Sequence, residues 1–124
     1  MTLRQNAGWA HSPTERSVRL GYSHSGNQDV TLFDNYFVGS TVFARPWQTI
    51  GMTGNTFYSE VSGNILPANY PNNTYLTTRP SGAKVIVHPN LYEPGRAHIA
   101  IYNWDLAASV AVDVSPVLRP GAIF

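Results

Sequence analysis

The 124-residue chain contains no cysteine, which excludes a disulfide framework, a thiolate nucleophile and any cysteine-ligated metal. Charge is scarce too. Only 12% of residues are charged, and one lysine, Lys84, stands beside seven arginines. There is no basic run, and the formal net charge is +1. Nothing in that balance calls for a nucleic-acid partner or an anionic membrane. No apolar run approaches the roughly 18 residues of a membrane helix, and residues 1–10 are polar, without the apolar centre of a leader peptide. So little charge also excludes a coiled coil, a helical bundle and a charged disordered tail.

What is present is turn chemistry. Ten glycines and nine prolines accompany ten each of Asn, Ser and Thr, and apolar residues make up 43% of the chain. This is the composition of an all-β, turn-rich protein. The chain divides around residues 60–82, where Pro67, Pro71, Pro80 and four asparagines predict a connecting loop. Residues 1–59 precede it and residues 83–124 follow.

The first part holds a repeat. VTLFDNYF at 30–37 aligns with IGMTGNTF at 50–57 at an offset of 20 residues. Val30 falls on Ile50, Leu32 on Met52, Asn35 on Asn55 and Phe37 on Phe57. Repeats of this length mark stacked coils. Alternation puts Val30 and Leu32 on one strand face. The Asn sits at a bend, where left-handed backbone is tolerated, and the Phe re-enters the interior. Strands this short close a core only by stacking, each coil about 4.8 Å from the next. Asn35 and Asn55 then form a ladder that passes amide hydrogen bonds between coils. Residues 17–22 read as a preceding strand and 40–44 as its partner one coil later.

The second part reads as antiparallel strands at 84–88, 97–103 and 109–114, the last two joined by a hairpin at 104–108. Val85, Val87, Ile99, Ile101, Val110, Val112 and Val114 would face a core, as would Val18, Leu20, Val30, Leu32, Phe37, Val42, Ile50, Met52 and Phe57 in the first part. The chain stops at 122–124, where a new apolar segment opens, so truncation is expected.

On Asn35, Asn55 and their flanking apolar positions, residues 17–59 resemble the last coils of a right-handed parallel β-helix of the pectate-lyase-like superfamily. Residues 71–105, including RAHIAIYNWD at 96–105, are similar to antiparallel β modules that follow such helices in bacterial extracellular proteins. The resemblance implies terminal β-helix coils followed by an antiparallel module, an extracellular or periplasmic location, and a polysaccharide as the molecule acted on or bound. Catalytic coils of such families lie mid-helix, so no catalytic residue is expected in this chain. No cofactor is expected either.

The local chemistry is sparse. His11, His24, His88 and His98 form no H-x-x-x-H pattern, so zinc has no local support. No D-x-D or D-x-N-x-D run offers a calcium loop. Asp29 and Asp34 share one coil, but Asp34 precedes Asn35 at a bend, where Asp is favoured for backbone bonding. In RPW at 45–47, Trp47 can stack on a sugar and Arg45 can bridge hydroxyls or carboxylates; Tyr22, His24 and Tyr58 would join them on a groove. The competing reading packs Trp47 on the solenoid or the second module. Trp104, in YNWD at 102–105, is either a corner of the sheet or part of a carbohydrate face. The saccharide-binding set is therefore Arg45, Trp47, Tyr58 and Trp104. Two alternatives stand beside it: a stand-alone carbohydrate-binding β module, and a structural solenoid that self-associates through an open coil edge.

Overall fold

The computed structural model describes residues 1–22, 26–63, 65–119 and 121. It is all-β and falls into two units, Met1–Arg79 and Pro80–Phe124.

The first unit contains β1 (Thr2–Arg4), β2 (Ala7–Trp9), β3 (Arg16–Leu20), β4 (Asn27–Phe33), β5 (Tyr36–Val38), β6 (Ser40–Phe43), β7 (Trp47–Thr53), β8 (Thr56–Tyr58), β9 (Val61–Ser62) and β10 (Thr74–Leu76). All pairings among them are parallel and join strands from successive circuits of the chain. The first sheet is β1-β4-β7, the second β2-β5-β8-β10 and the third β3-β6-β9. The register sets Val30 beside Ile50, Leu32 beside Met52 and Phe37 beside Phe57.

The corners follow from backbone chemistry. Gln5, Asp34 and Gly54 each have positive φ, at 55°, 52° and 71°, and each immediately precedes a ladder asparagine. The left-handed residue is thus the one before the Asn, which frees the Asn side chain to point along the stack. At Gly54 a side chain has no room: a Cβ would collide with the Asp34 carboxylate.

The ladder has four rungs, Asn6, Asn35, Asn55 and Asn73. Asn6 donates its backbone N–H and its Nδ2 to Asn35 Oδ1, both at 2.9 Å. Asn35 donates in the same way to Asn55 Oδ1, at 3.0 and 2.7 Å, and Asn55 to Asn73 Oδ1, at 3.1 and 2.8 Å. Every donor points the same way, so the ladder has a direction.

Inside the circuits, like positions stack. Leu3, Leu32 and Met52 form one row, and Gly8, Phe37, Phe57 and Tyr75 another. Phe37 and Phe57 lie 6.0 Å apart, and Phe57 and Tyr75 stack at 5.5 Å. The aromatic row ends at Gly8, where a Cβ would come within 2.7 Å of the Phe37 ring. Ile65 is buried, and Tyr70 packs against the same core cluster next to the last circuit.

Two expectations for this unit change. Residues 60–82 are not only connector, because β9 and β10 continue the third and second sheets. Val42 is not core: it is half-buried while Thr41 and Phe43 on either side are almost wholly buried, and Phe43 lies beside Leu20. The larger side chain takes the interior, since it removes more apolar area from water. The outward-facing Tyr36 and Val38 are also buried.

The second unit is an antiparallel pair, β11 (Ala83–Pro89) and β12 (Ala97–Asn103). The turn between them is built by Asn90, whose Oδ1 accepts from the N–H groups of Tyr92 and Glu93, at 2.9 and 3.2 Å. The expected hairpin at 104–108 and third strand at 109–114 do not form. Residues 104 and 105 close the open end of the pair instead. Trp104 N–H donates to the Gly82 carbonyl, and Asp105 accepts from Gly82 N–H at 2.8 Å. The Asn103 carboxamide then clamps Ala107 through two hydrogen bonds. Residues 109–114 keep their alternating burial but join no ladder. Ile99 and Ile101, expected in a core, are each 47% exposed. Among the described residues this unit holds no fully buried apolar side chain. A groove of about 200 Å³ lies between Ala97, Ile99, Val114 and Leu118.

Candidate functional site

The four residues singled out for saccharide binding are not brought together within the first unit. Arg45 is exposed at the bend between β6 and β7, with φ 72°. Trp47, two residues on, packs against the core cluster, and its indole Nε1 is buried without a hydrogen-bond partner. The residue as a whole is half-buried. Tyr58 lies on the second sheet between Val38 and Leu76 and is half-buried. Trp104 belongs to the second unit, half-buried and stacked on Tyr102 at 6.0 Å with the planes 16° apart. His24 lies outside the described residues, and Tyr22 is exposed with Arg19 over its ring at 5.8 Å.

A different surface gathers polar chemistry. On the first sheet Leu3, Val30, Leu32, Ile50 and Met52 point inward, so alternation turns the intervening residues out. Three outward rows result: Asp29 beside Thr49; Thr2, Thr31 and Gly51; and Arg4, Phe33 and Thr53. Adjacent groups within a row are about 4.8 Å apart. Thr49 Oγ1 donates to Asp29 Oδ1. The Arg4 guanidinium lies 5.6 Å from the centre of the half-buried Phe33 ring. Gly51 leaves a dip in the middle row, flanked by the Thr31 methyl. The face thus presents hydroxyls, one carboxylate, one cation and one aromatic ring on a three-stranded floor. Sequence reasoning missed it because it searched for aromatic residues. The available signal was the T-x-G-x-T alternation at 49–53 opposite D-x-T-x-F at 29–33.

Several of the other carboxylates are placed locally. Asp34 is a bend residue beside Gly54, Asp105 holds Gly82, and Glu93 pairs with Arg96 at 3.3 Å. The exposed Asp113 carboxyl is held below the usual range by hydrogen bonding from Ser115. Burial raises the Tyr75 phenol above its ordinary value, with Tyr70 adding to the effect and a hydrogen bond with Asn73 opposing it. His88 and His98 are direct cross-strand partners. Among the described residues no three His, Asp or Glu side chains are grouped to hold a metal, and no helix is long and apolar enough to cross a membrane. No family model, curated protein or solved structure matches the chain.

Proposed function

We propose that the first unit is the terminal part of a right-handed parallel β-helix of the pectate-lyase-like kind, and that the protein binds polysaccharide outside the cell without cleaving it. The observation that carries this reading is the outward face of the first sheet. Its rows of Asp29 and Thr49, of Thr2, Thr31 and Gly51, and of Arg4, Phe33 and Thr53 provide both the hydrogen bonding and the ring contact that a sugar chain needs. The four-rung ladder and three parallel sheets support the helical assignment.

The test is retardation of the protein in gels containing polygalacturonate, alginate or dextran. Retardation by at least one polymer is expected. Asp29→Ala and Phe33→Ala should each weaken it about fivefold or more, roughly 1 kcal/mol. Migration unchanged by all three polymers, or retardation unaffected by both substitutions, overturns the reading. A second reading places the saccharide on the hairpin, where Tyr102 and Trp104 stack with Lys84 directly opposite Tyr102; Trp104→Ala separates the two.

A further inference from the structure

We propose that His88 and His98, directly opposite each other on β11 and β12, form a two-imidazole site for a late divalent transition metal ion, with Cu²⁺ bound most tightly. The inference rests on the register of this strand pair and is independent of the saccharide reading. Asn90 N–H donates to the Arg96 carbonyl at 2.8 Å, and Trp104 N–H to the Gly82 carbonyl at 2.9 Å. Both contacts lie an even number of residues from the pairing of His88 with His98. The histidines are therefore a hydrogen-bonded pair, with Cα atoms about 5.5 Å apart. Their Cβ atoms are about 4.5–5.5 Å apart on one face of the sheet. A metal held by two imidazoles at about 2.0–2.1 Å each brings the two ring nitrogens to about 3 Å from one another. Side chains rooted this close reach that separation by χ rotation alone, while seven consecutive residue pairs hold the backbone.

The neighbours on that face suit a cation. On one side of the histidines lies the apolar pair of Ile86 and Ala100, which brings no charge. On the other lie Asn90 and Arg96. The Arg96 guanidinium is paired with Glu93 Oε2 at 3.3 Å, and Asn90 Nδ2 donates to the same oxygen at 3.3 Å. Lys84 is four residues from His88, about 14 Å along the strand, beyond the Debye length of about 10 Å at 0.1 M salt. His98 is exposed and His88 half-buried, so an ion can reach the pair from solvent. Among the described residues no third His, Asp or Glu joins them, which leaves the remaining coordination positions to water. A two-imidazole set with open positions favours Cu²⁺, then Ni²⁺ and Zn²⁺. No sequence motif announces the site, because ten residues separate its ligands and only the strand register brings them together.

The probe is Cu²⁺ alone, titrated into the untagged full chain and followed by calorimetry and electron paramagnetic resonance. Saturable binding of one equivalent is expected, with a spectrum coupled to two imidazole nitrogens. In nuclear magnetic resonance, a small fraction of an equivalent should broaden the ring signals of His88 and His98 before those of His11 and His24. That measurement reads the unaltered protein, so its outcome does not depend on a variant that folds. His88→Ala and His98→Ala should each weaken binding at least tenfold, and His11→Ala should leave it unchanged. The absence of saturable binding, coupling to a single nitrogen, broadening that begins at His11 or His24, or binding that survives both substitutions overturns the proposal. Polysaccharide retardation is read separately in the presence of a chelator, so either proposal can fail alone.

Discussion

Replacing Asn55 by Leu tests whether the ladder holds the first unit together. Asn55 is fully buried. Its Oδ1 accepts two hydrogen bonds from Asn35. Its Nδ2 lies within reach of the Leu32 carbonyl at 2.9 Å, the Thr53 carbonyl at 3.1 Å and Asn73 Oδ1 at 2.8 Å. Leucine fills similar space and makes none of these. The Asn35 backbone N–H is left buried without its acceptor, at about 1–3 kcal/mol. The other lost bonds contribute about 1 kcal/mol each at most, because Asn35 Nδ2 keeps the Leu3 carbonyl and some carbonyls keep other donors. The expected loss is about 3–5 kcal/mol, a large share of the 5–15 kcal/mol typical of a domain. Asn6→Leu is the control: it removes the side-chain amide of an exposed rung, where water replaces the lost partners, and should cost about 1 kcal/mol or less. Urea unfolding followed by far-ultraviolet circular dichroism measures both. If Asn55→Leu costs less than about 1 kcal/mol, or no more than Asn6→Leu, the ladder is not what orders the circuits.

Other outcomes follow from single sites. Thr41 is fully buried with its hydroxyl unpartnered, so Thr41→Val should stabilise by about 1 kcal/mol in the same urea assay. Gly63→Ala should destabilise by about 2 kcal/mol or more, because its Cβ would meet the Phe43 carbonyl oxygen at φ 99°. Gly82→Ala, also at positive φ but in open space, should cost only about 1 kcal/mol. The raised Tyr75 phenol makes a pH prediction. Its contribution is intact below the unfolded value near 10 and is lost as pH rises through the higher folded value. Stability should therefore fall above about pH 10, and Tyr75→Phe should flatten that fall in alkaline thermal melts.

The stacked pairs were legible because residues 30–37 and 50–57 share one internal spacing from strand to rung to aromatic position, so a single offset of 20 aligned them all. Asn6 and Asn73 were not, because the rungs on either side are 29 and 18 residues away rather than 20. The local signature was still present: Leu3, Leu32, Met52 and Tyr70 each precede their rung by three residues, and Gly8, Phe37, Phe57 and Tyr75 follow it by two. Trp47 left two readings open because an aromatic residue at the start of a strand reads the same whether it lies open or folds over a corner; its packing against the core is a tertiary fact. The missing strand at 109–114 has the right alternation, but pairing needs a reversal that residues 103–107 do not make, since Asn103 and Asp105 are already used in closing the hairpin. For the outward face of the first sheet, the residues were visible one by one. Their assembly required the register between β1, β4 and β7.

The unequal spacing of the rungs has a consequence for how such a molecule can change. Between Asn6 and Asn35 the chain makes room for residues 10–15, which hydrogen-bond to the Val38 carbonyl, to Ser40 N–H and to Ser59, and the rung chemistry is the same as where the spacing is shortest. Closing a longer corner costs little, about 0.6 kcal/mol for each doubling of loop length. The corners are thus places where new peptide can be inserted, by evolution or by design, while the rungs act as fixed anchor points. A protein built this way can remodel the border of its exposed sheet without renegotiating its core.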